Sequence, residues 1–153
     1  MSVEQIRADS FTEFVRKAEP RLKVALCSAF GTDAGLEATA DALAYGWEHW
    51  DRVAVMSNPV GYLWGVGRNQ ARRHRPRIVL YEVDCQALPD VEPGLPAALT
   101  ALSERQRLAV MLVHCFGWSL SEVAQLSGLS KTTVQNHVER GMAKLRKALG
   151  VES

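Results

Sequence analysis

The chain has 153 residues, 47% of them apolar, and a formal net charge of +1, a composition that can bury one fair core or two small ones and is not that of a disordered chain. No uncharged apolar run approaches the ~20 residues a bilayer span needs, and the first ten residues carry charges where an export leader would be apolar. Cys27, Cys85 and Cys115 are odd in number and lack a C-x-x-C spacing, so membrane insertion, disulfides and a zinc site are not expected and a reduced, cytoplasmic setting is.

The charge is divided along the chain. Residues 1–80 carry eleven Lys/Arg against nine Asp/Glu, residues 81–104 carry none against five, and residues 105–153 carry seven against three. Two mildly basic blocks therefore flank an acidic connector. The cysteines read as packing residues, since free Cys is among the most buried residue types.

Phe11 to Phe30 reads as a helix with Phe14, Val15, Leu22, Leu26 and Phe30 apolar, kinked or interrupted near Pro20 and closed by Gly31. A second helix spans about Ala34 to Trp50. Leu36, Ala40, Leu43, Trp47 and Trp50 repeat at helical spacing on it, opposite an acidic outer face of Glu37, Asp41 and Glu48.

Asn58-Pro59 is a start signal, cap then Pro at the first helical position, for a third helix that reaches about Arg75 before Pro76. Val60, Leu63, Trp64, Gly67 and Ala71 form its inward stripe. Its glycines at 61, 65 and 67 each cost about 1 kcal/mol against Ala, and close helix packing is the expected compensation. The end of this helix, residues 68–77, holds five arginines and no acid. Arg68, Arg72 and Arg75, spaced by four and three, make one cationic side suited to phosphates and to stacking on exposed bases.

Residues 78–101 read as a linker, with Pro89, Pro93 and Pro96, the acids Glu82, Asp84, Asp90 and Glu92, and a short extended piece at Ile78 to Val83. Ser103-Glu-Arg-Gln106 is then a capping box opening a helix with Leu108, Met111, Leu112, Cys115 and Phe116 apolar and Gly117 as its stop.

The most informative stretch is Ser119 to Leu149. Ser119 and Glu122 form a second capping box, Val123, Ala124 and Leu126 share a face, and Gly128-Leu129-Ser130 supplies a left-handed stop, a buried anchor and the next N-cap. From Lys131 the apolar positions Val134, Val138, Met142, Leu145 and Leu149 make one stripe. Lys131, Thr132, Thr133, Gln135, Asn136 and Arg140 remain to meet base edges and phosphates, the arrangement of a helix-turn-helix recognition helix. Catalysis is not indicated. His49, His74, His114 and His137 have neither metal spacing nor carboxylate partners in sequence, and no Gly-rich phosphate loop or cofactor motif occurs.

These residues resemble the small two-domain bacterial sigma factors of the extracytoplasmic-function group. Ala101 to Leu112 resembles the family's L-P-E-R-Q-R-E-V-L-L-L entry to region 4, and Ser119 to Arg146 its S-x-x-E-I-A-x-x-L-G-I-S-x-x-T-V helix-turn-helix. Pro59 to His74 resembles the A-W-L-x-x-I-A-R-N-x-x-x-D-x-x-R helix of region 2, through Leu63, Trp64, Arg68 and Asn69. Leu36 to Trp47 resembles the preceding helix, which in the family docks on core RNA polymerase.

The resemblance implies an all-α fold of two small helical domains, 1–77 and 102–153, joined by an acidic, Pro-containing linker over 78–101. It implies that Glu37, Asp41, Trp47 and Glu48 bind polymerase. Region 2 would open the −10 element through Arg52, Asn69 and the arginines Arg68, Arg72, Arg73 and Arg75. Region 4 would read the −35 element through the recognition-helix residues named above. Core polymerase and promoter DNA are the implied partners, an anti-sigma factor is a further candidate, and the unbound chain would be a monomer. The chain departs from the family at Leu36 and Ala40 in the docking helix, which bears on polymerase affinity, and at Gln135, Asn136, His137 and Met142 in the recognition helix, so its base preference is its own. Two rival readings are a helix-turn-helix regulator that binds a palindromic operator as a dimer, and a sigma-like module that occupies polymerase without opening promoters.

Overall fold

The computed structural model describes residues 1–74 and 94–151. Arg75, Arg77, Cys85, the extended piece at 78–83 and the four acids of the connector lie outside the described residues. Among those described, the fold is all-α, and no helix is long and apolar enough to cross a membrane.

The first half is built on α1 (Val3–Phe30), α2 (Thr32–Glu48), the single turn α3 (Trp50–Val53) and α4 (Pro59–His74). Helix α1 begins eight residues before the expected Phe11 and runs through Pro20 without a break. Its first two turns carry no apolar stripe, so periodicity misses them. They are fixed locally by the Ser2 cap, which accepts the Gln5 amide at 3.1 Å, and by the Gln5 to Asp9 side-chain bond. Gly31, with φ of 90°, ends the helix and donates its amide to Cys27 O at 2.9 Å.

Helix α2 faces inward differently from the expectation. Leu36 and Ala40 are exposed, and the buried positions are Ala34, Gly35, Ala38, Thr39, Ala42 and Gly46. The large residues suggested one stripe, whereas the small ones let the backbone of α2 approach α1 closely enough to bury Leu22, Leu26 and Ala29 completely. Trp50 is buried as expected, but in α3, after the chain breaks at His49.

Helix α4 keeps its expected stripe, with Leu63, Trp64, Gly67 and Ala71 buried. Asn58 caps it by accepting the Gly61 amide at 3.1 Å. Of the three glycines only Gly67 meets another helix, since a Cβ there would lie 2.8 Å from a Leu26 methyl. Gly65 borders open space and Gly61 lies under the Asn58 side chain.

The second half comprises α5 (Leu95–Ala101), α6 (Glu104–Val110), a π-helical turn (Met111–Cys115), α7 (Leu120–Ser127) and α8 (Lys131–Ala148). Helix α5 falls inside the stretch read as linker; Pro96 sits in its first turn, where a missing amide costs nothing. The capping box at Ser103 and Gln106 forms as expected. Beyond Val110 the wider turn, with the Phe116 amide on Met111 O at 3.1 Å, shifts the helical phase. Cys115 and Phe116, expected inside, are therefore exposed.

The two halves are packed together. One core joins Leu22, Leu26, Leu63 and Trp64 of the first half to Leu108, Leu112, Val123 and Leu126 of the second. A smaller cluster of Ala98, Leu99, Leu102, Val110, Met111 and Leu145 ties α5 to α6 and α8.

Candidate nucleic-acid interface

The turn between α7 and α8 is assembled from local signals. The capping box at Ser119 and Glu122 is complete, with the Ser119 amide on Glu122 Oε1 at 3.1 Å and the Glu122 amide on Ser119 Oγ at 3.0 Å. Hydrogen bonds from the Ser119 amide and then the Ser119 hydroxyl, followed by the Arg21 guanidinium, hold the Glu122 carboxyl below the usual range. Gly128 adopts φ of 74°, the left-handed stop that favours Gly. Ser130 Oγ then accepts the Thr133 amide at 3.1 Å and opens α8.

Val134, Val138 and Leu145 bury one face of α8, and Gly141 lets it lie against Val110 of α6. Lys131, Thr132, Gln135, Asn136 and Arg140 are exposed together on the other face. Thr133 differs from them: it is half-buried, and its hydroxyl is 2.7 Å from Ser130 Oγ, so it belongs to the cap. Between the faces, His137 is partly buried with Nδ1 unbonded. Desolvation, then the charges of Arg105 and Arg140, push its pKa down.

The arginine end of α4 is not bare. Arg68 Nε donates to Glu104 Oε1 at 2.5 Å and Arg72 Nε to Glu104 Oε2 at 2.7 Å. The sequence shows five arginines without an acid among them; the counter-charge of Arg68 and Arg72 comes from the first residue of α6, 36 and 32 positions away. Asn69 and Arg73 are exposed beside this pair, and Arg75 lies outside the described residues.

Other bonds cross between the halves nearby. Asn58 Nδ2 donates to Gln125 O at 2.8 Å, and Arg21 lies 3.3 Å from Glu122 and 4.4 Å over the Trp118 ring. Arg107 donates to Ala29 O, through Nε at 2.9 Å and NH2 at 2.6 Å, and through NH1 to Leu102 O at 3.0 Å.

Arg52, exposed at the end of α3, belongs to an aromatic group that sequence reading missed. It donates to Tyr45 Oη at 2.6 Å and lies 3.4 Å from Tyr62 Oη, while the Tyr45 ring stacks on His49 at 4.1 Å. The bond between the two hydroxyls, 3.3 Å, pulls the Tyr45 pKa down and pushes that of Tyr62 up. The only sequence cue was the four-residue spacing of Tyr45 and His49.

The outer side of α2 carries exposed Glu37 and Glu48, half-buried Asp41 and exposed Leu36. Trp47 is half-buried, its ring 5.3 Å from that of Phe11 and capped by Arg7. Cys27 is partly buried and Cys115 exposed, the latter against the packing role expected of it. Partial desolvation pushes both thiols up, which keeps them protonated and poor nucleophiles.

Residues 94–145 match the family model for sigma-70, region 4. The match opens at α5 and includes the whole turn between α7 and α8. No curated protein sequence matches the chain. The fold is similar to that of the sigma factor RpoE of Bartonella quintana, solved with the anti-sigma factor NepR; identity is 21%, the TM-score 0.65, with 94% of this chain and 98% of that one covered. It is equally similar to CnrH, solved with the cytosolic domain of CnrY, at 22% identity and a TM-score of 0.63 over 96% of each chain. The likeness therefore extends over both halves, and at these identities it speaks to the fold.

Proposed function

We infer that the chain is a sigma factor of the sigma-70 family and of the two-part extracytoplasmic-function type, a transcription initiation factor that acts with core RNA polymerase and promoter DNA. The observation that carries this reading is the exposed polar face of α8, set on two serine caps and a left-handed glycine within the region 4 match. The whole-chain likeness to a sigma factor supports extending it to the first half.

In this reading Lys131, Thr132, Gln135, Asn136 and Arg140 enter the major groove of the −35 element, with Thr133 holding the helix start. Arg68, Asn69, Arg72 and Arg73 meet the strand separated at the −10 element, and Arg52 serves the same strand beside Tyr45 and Tyr62. Arg75 is assigned there by its spacing alone. Glu37, Asp41 and Glu48, with exposed Leu36, form the polymerase-docking side of α2, and Trp47 shapes its edge from beneath Arg7.

Each DNA reader is small, and a lone helix-turn-helix has only non-specific affinity, of order 10⁻⁴ to 10⁻⁶ M at physiological salt. Tethering both to polymerase raises their effective concentration and makes one specific reader from two weak ones. The solved neighbours with an anti-sigma factor and with CnrY support a protein partner that holds the chain inactive.

The test is to mix the purified chain with bacterial core polymerase lacking sigma and fractionate by size with promoter-library DNA. A monomer that joins polymerase and lets it select DNA supports the reading. A dimer that retains palindromic DNA without polymerase would replace it with the operator-binding regulator. Retention on polymerase with no DNA selected would favour an interaction module.

A further inference from the structure

We propose that Arg68 and Arg72 form a single phosphate-binding fork and that Glu104 occupies it in the closed molecule as an internal stand-in for a nucleic-acid phosphate. Packing of the second half onto the first and binding of DNA by the first half then exclude each other. The proposal rests on the assignment of Arg68 and Arg72 to DNA.

The geometry is that of a shared anion site. Two guanidinium Nε donors, four residues apart on α4, take one carboxylate oxygen each, at 2.5 and 2.7 Å. Their spacing puts both side chains on one side of the helix irrespective of the second half. A phosphodiester also presents two non-bridging oxygens side by side, and guanidinium recognises carboxylate and phosphate by the same planar geometry. The Glu104 side chain is 17% exposed, Arg68 21% and Arg72 50%, so while the carboxylate is in place a phosphate can approach the outer side of Arg72 but not the two Nε donors that Glu104 occupies.

Glu104 is well placed to act as the stand-in. It is the first residue of α6, directly after the Ser103 cap, where a carboxylate is favoured by the helix dipole. Two other side-chain bonds between the halves, Asn58 to Gln125 and Arg21 to Glu122, are exposed or half-exposed, whereas the shared core and the Arg107 bonds to Ala29 O are the contacts that must part for the halves to separate. Single-stranded DNA, unlike a carboxylate, also releases counterions for each phosphate neutralised. Binding of a strand therefore competes directly with the closed contact.

The test measures binding of a mixed-sequence, fluorescently labelled single-stranded DNA to the full chain over a range of salt. Four proteins are compared: the natural chain, Glu104→Gln, Arg68→Ala with Arg72→Ala, and the triple variant. Glu104→Gln is expected to bind about tenfold more tightly, with a salt slope steeper by roughly 0.7 for each arginine released. The triple variant is expected to lose that gain. Glu104→Asp, whose shorter side chain reaches one arginine, should fall between, and thermal melts followed by circular dichroism establish that each variant is folded.

If Glu104→Gln binds as the natural chain does while the double arginine variant binds more weakly, the arginines meet DNA without competition and the proposal is overturned. A gain that survives in the triple variant also overturns it, because removal of one negative charge then accounts for the effect. If removing both arginines changes binding in neither background, it is the DNA assignment of this end of α4 that fails.

Discussion

The guanidinium of Arg7 lies over the indole of Trp47, 4.0 Å from the ring centroid, and donates to the Trp47 carbonyl. This joins the first turns of α1, which carry almost no buried apolar surface, to the end of α2. Arg7→Ala should lower stability by about 1 kcal/mol, the size of a partly desolvated cation–π contact, in a urea melt. An unchanged midpoint would mean that these turns are held by the Ser2 cap and the Gln5 to Asp9 bond without the Arg7 contact.

On α8, Gln135 and Asn136 are exposed, and Gln135 donates to Glu139 at 3.3 Å. Gln135→Ala or Asn136→Ala should flatten preference at one upstream base pair by ~1 to 3 kcal/mol if the contact is bidentate. Selection from randomised DNA by the polymerase complex measures this. A preference profile identical to that of the natural chain would remove the groove assignment from this face.

Arg107 closes the junction between the halves, because its three guanidinium nitrogens make five bonds to carbonyls at the ends of both α1 and α5. Lys cannot span these acceptors. Arg107→Lys should cost roughly 2 kcal/mol, the value of charge-assisted bonds lost from a partly buried site, and should lower the temperature at which both halves unfold. Loss of less than a few tenths would show that apolar packing alone sets the junction.

His137 should make the second half less stable in mild acid. Its folded pKa lies below the unfolded value of 6.5, so as pH falls below that value the unfolded chain takes up a proton that the folded chain resists. Stability contributed by the neutral ring is present above pH 6.5 and is lost below it. In His137→Gln, melting temperature should fall less between neutral pH and mildly acidic pH than in the natural chain. Parallel profiles for the two proteins would contradict this assignment.

Much of the helix-turn-helix was legible because its signals are local. Ser119 with Glu122, Gly128 and Ser130 are caps and stops whose chemistry depends on three or four neighbouring residues. The orientation of α2 was not legible, since Ala34, Ala38 and Ala42 give little periodic contrast, yet they are on the face it buries. Nor was the phase shift that exposes Cys115 and Phe116, because a π-helical turn has no signature in residue spacing. The Glu104 fork joins residues 36 and 32 positions apart, and a charge count along the chain sees only unpartnered arginines.

The account rests most on the claim that this chain directs initiation. Its most direct test is transcription by sigma-free core polymerase on genomic DNA, with and without the chain, with the 5′ ends of new transcripts mapped. The account predicts new start sites that share two dissimilar upstream elements at a fixed spacing, lost when Arg68 and Arg72 are both replaced. No new starts, with the protein retained on polymerase, would contradict it.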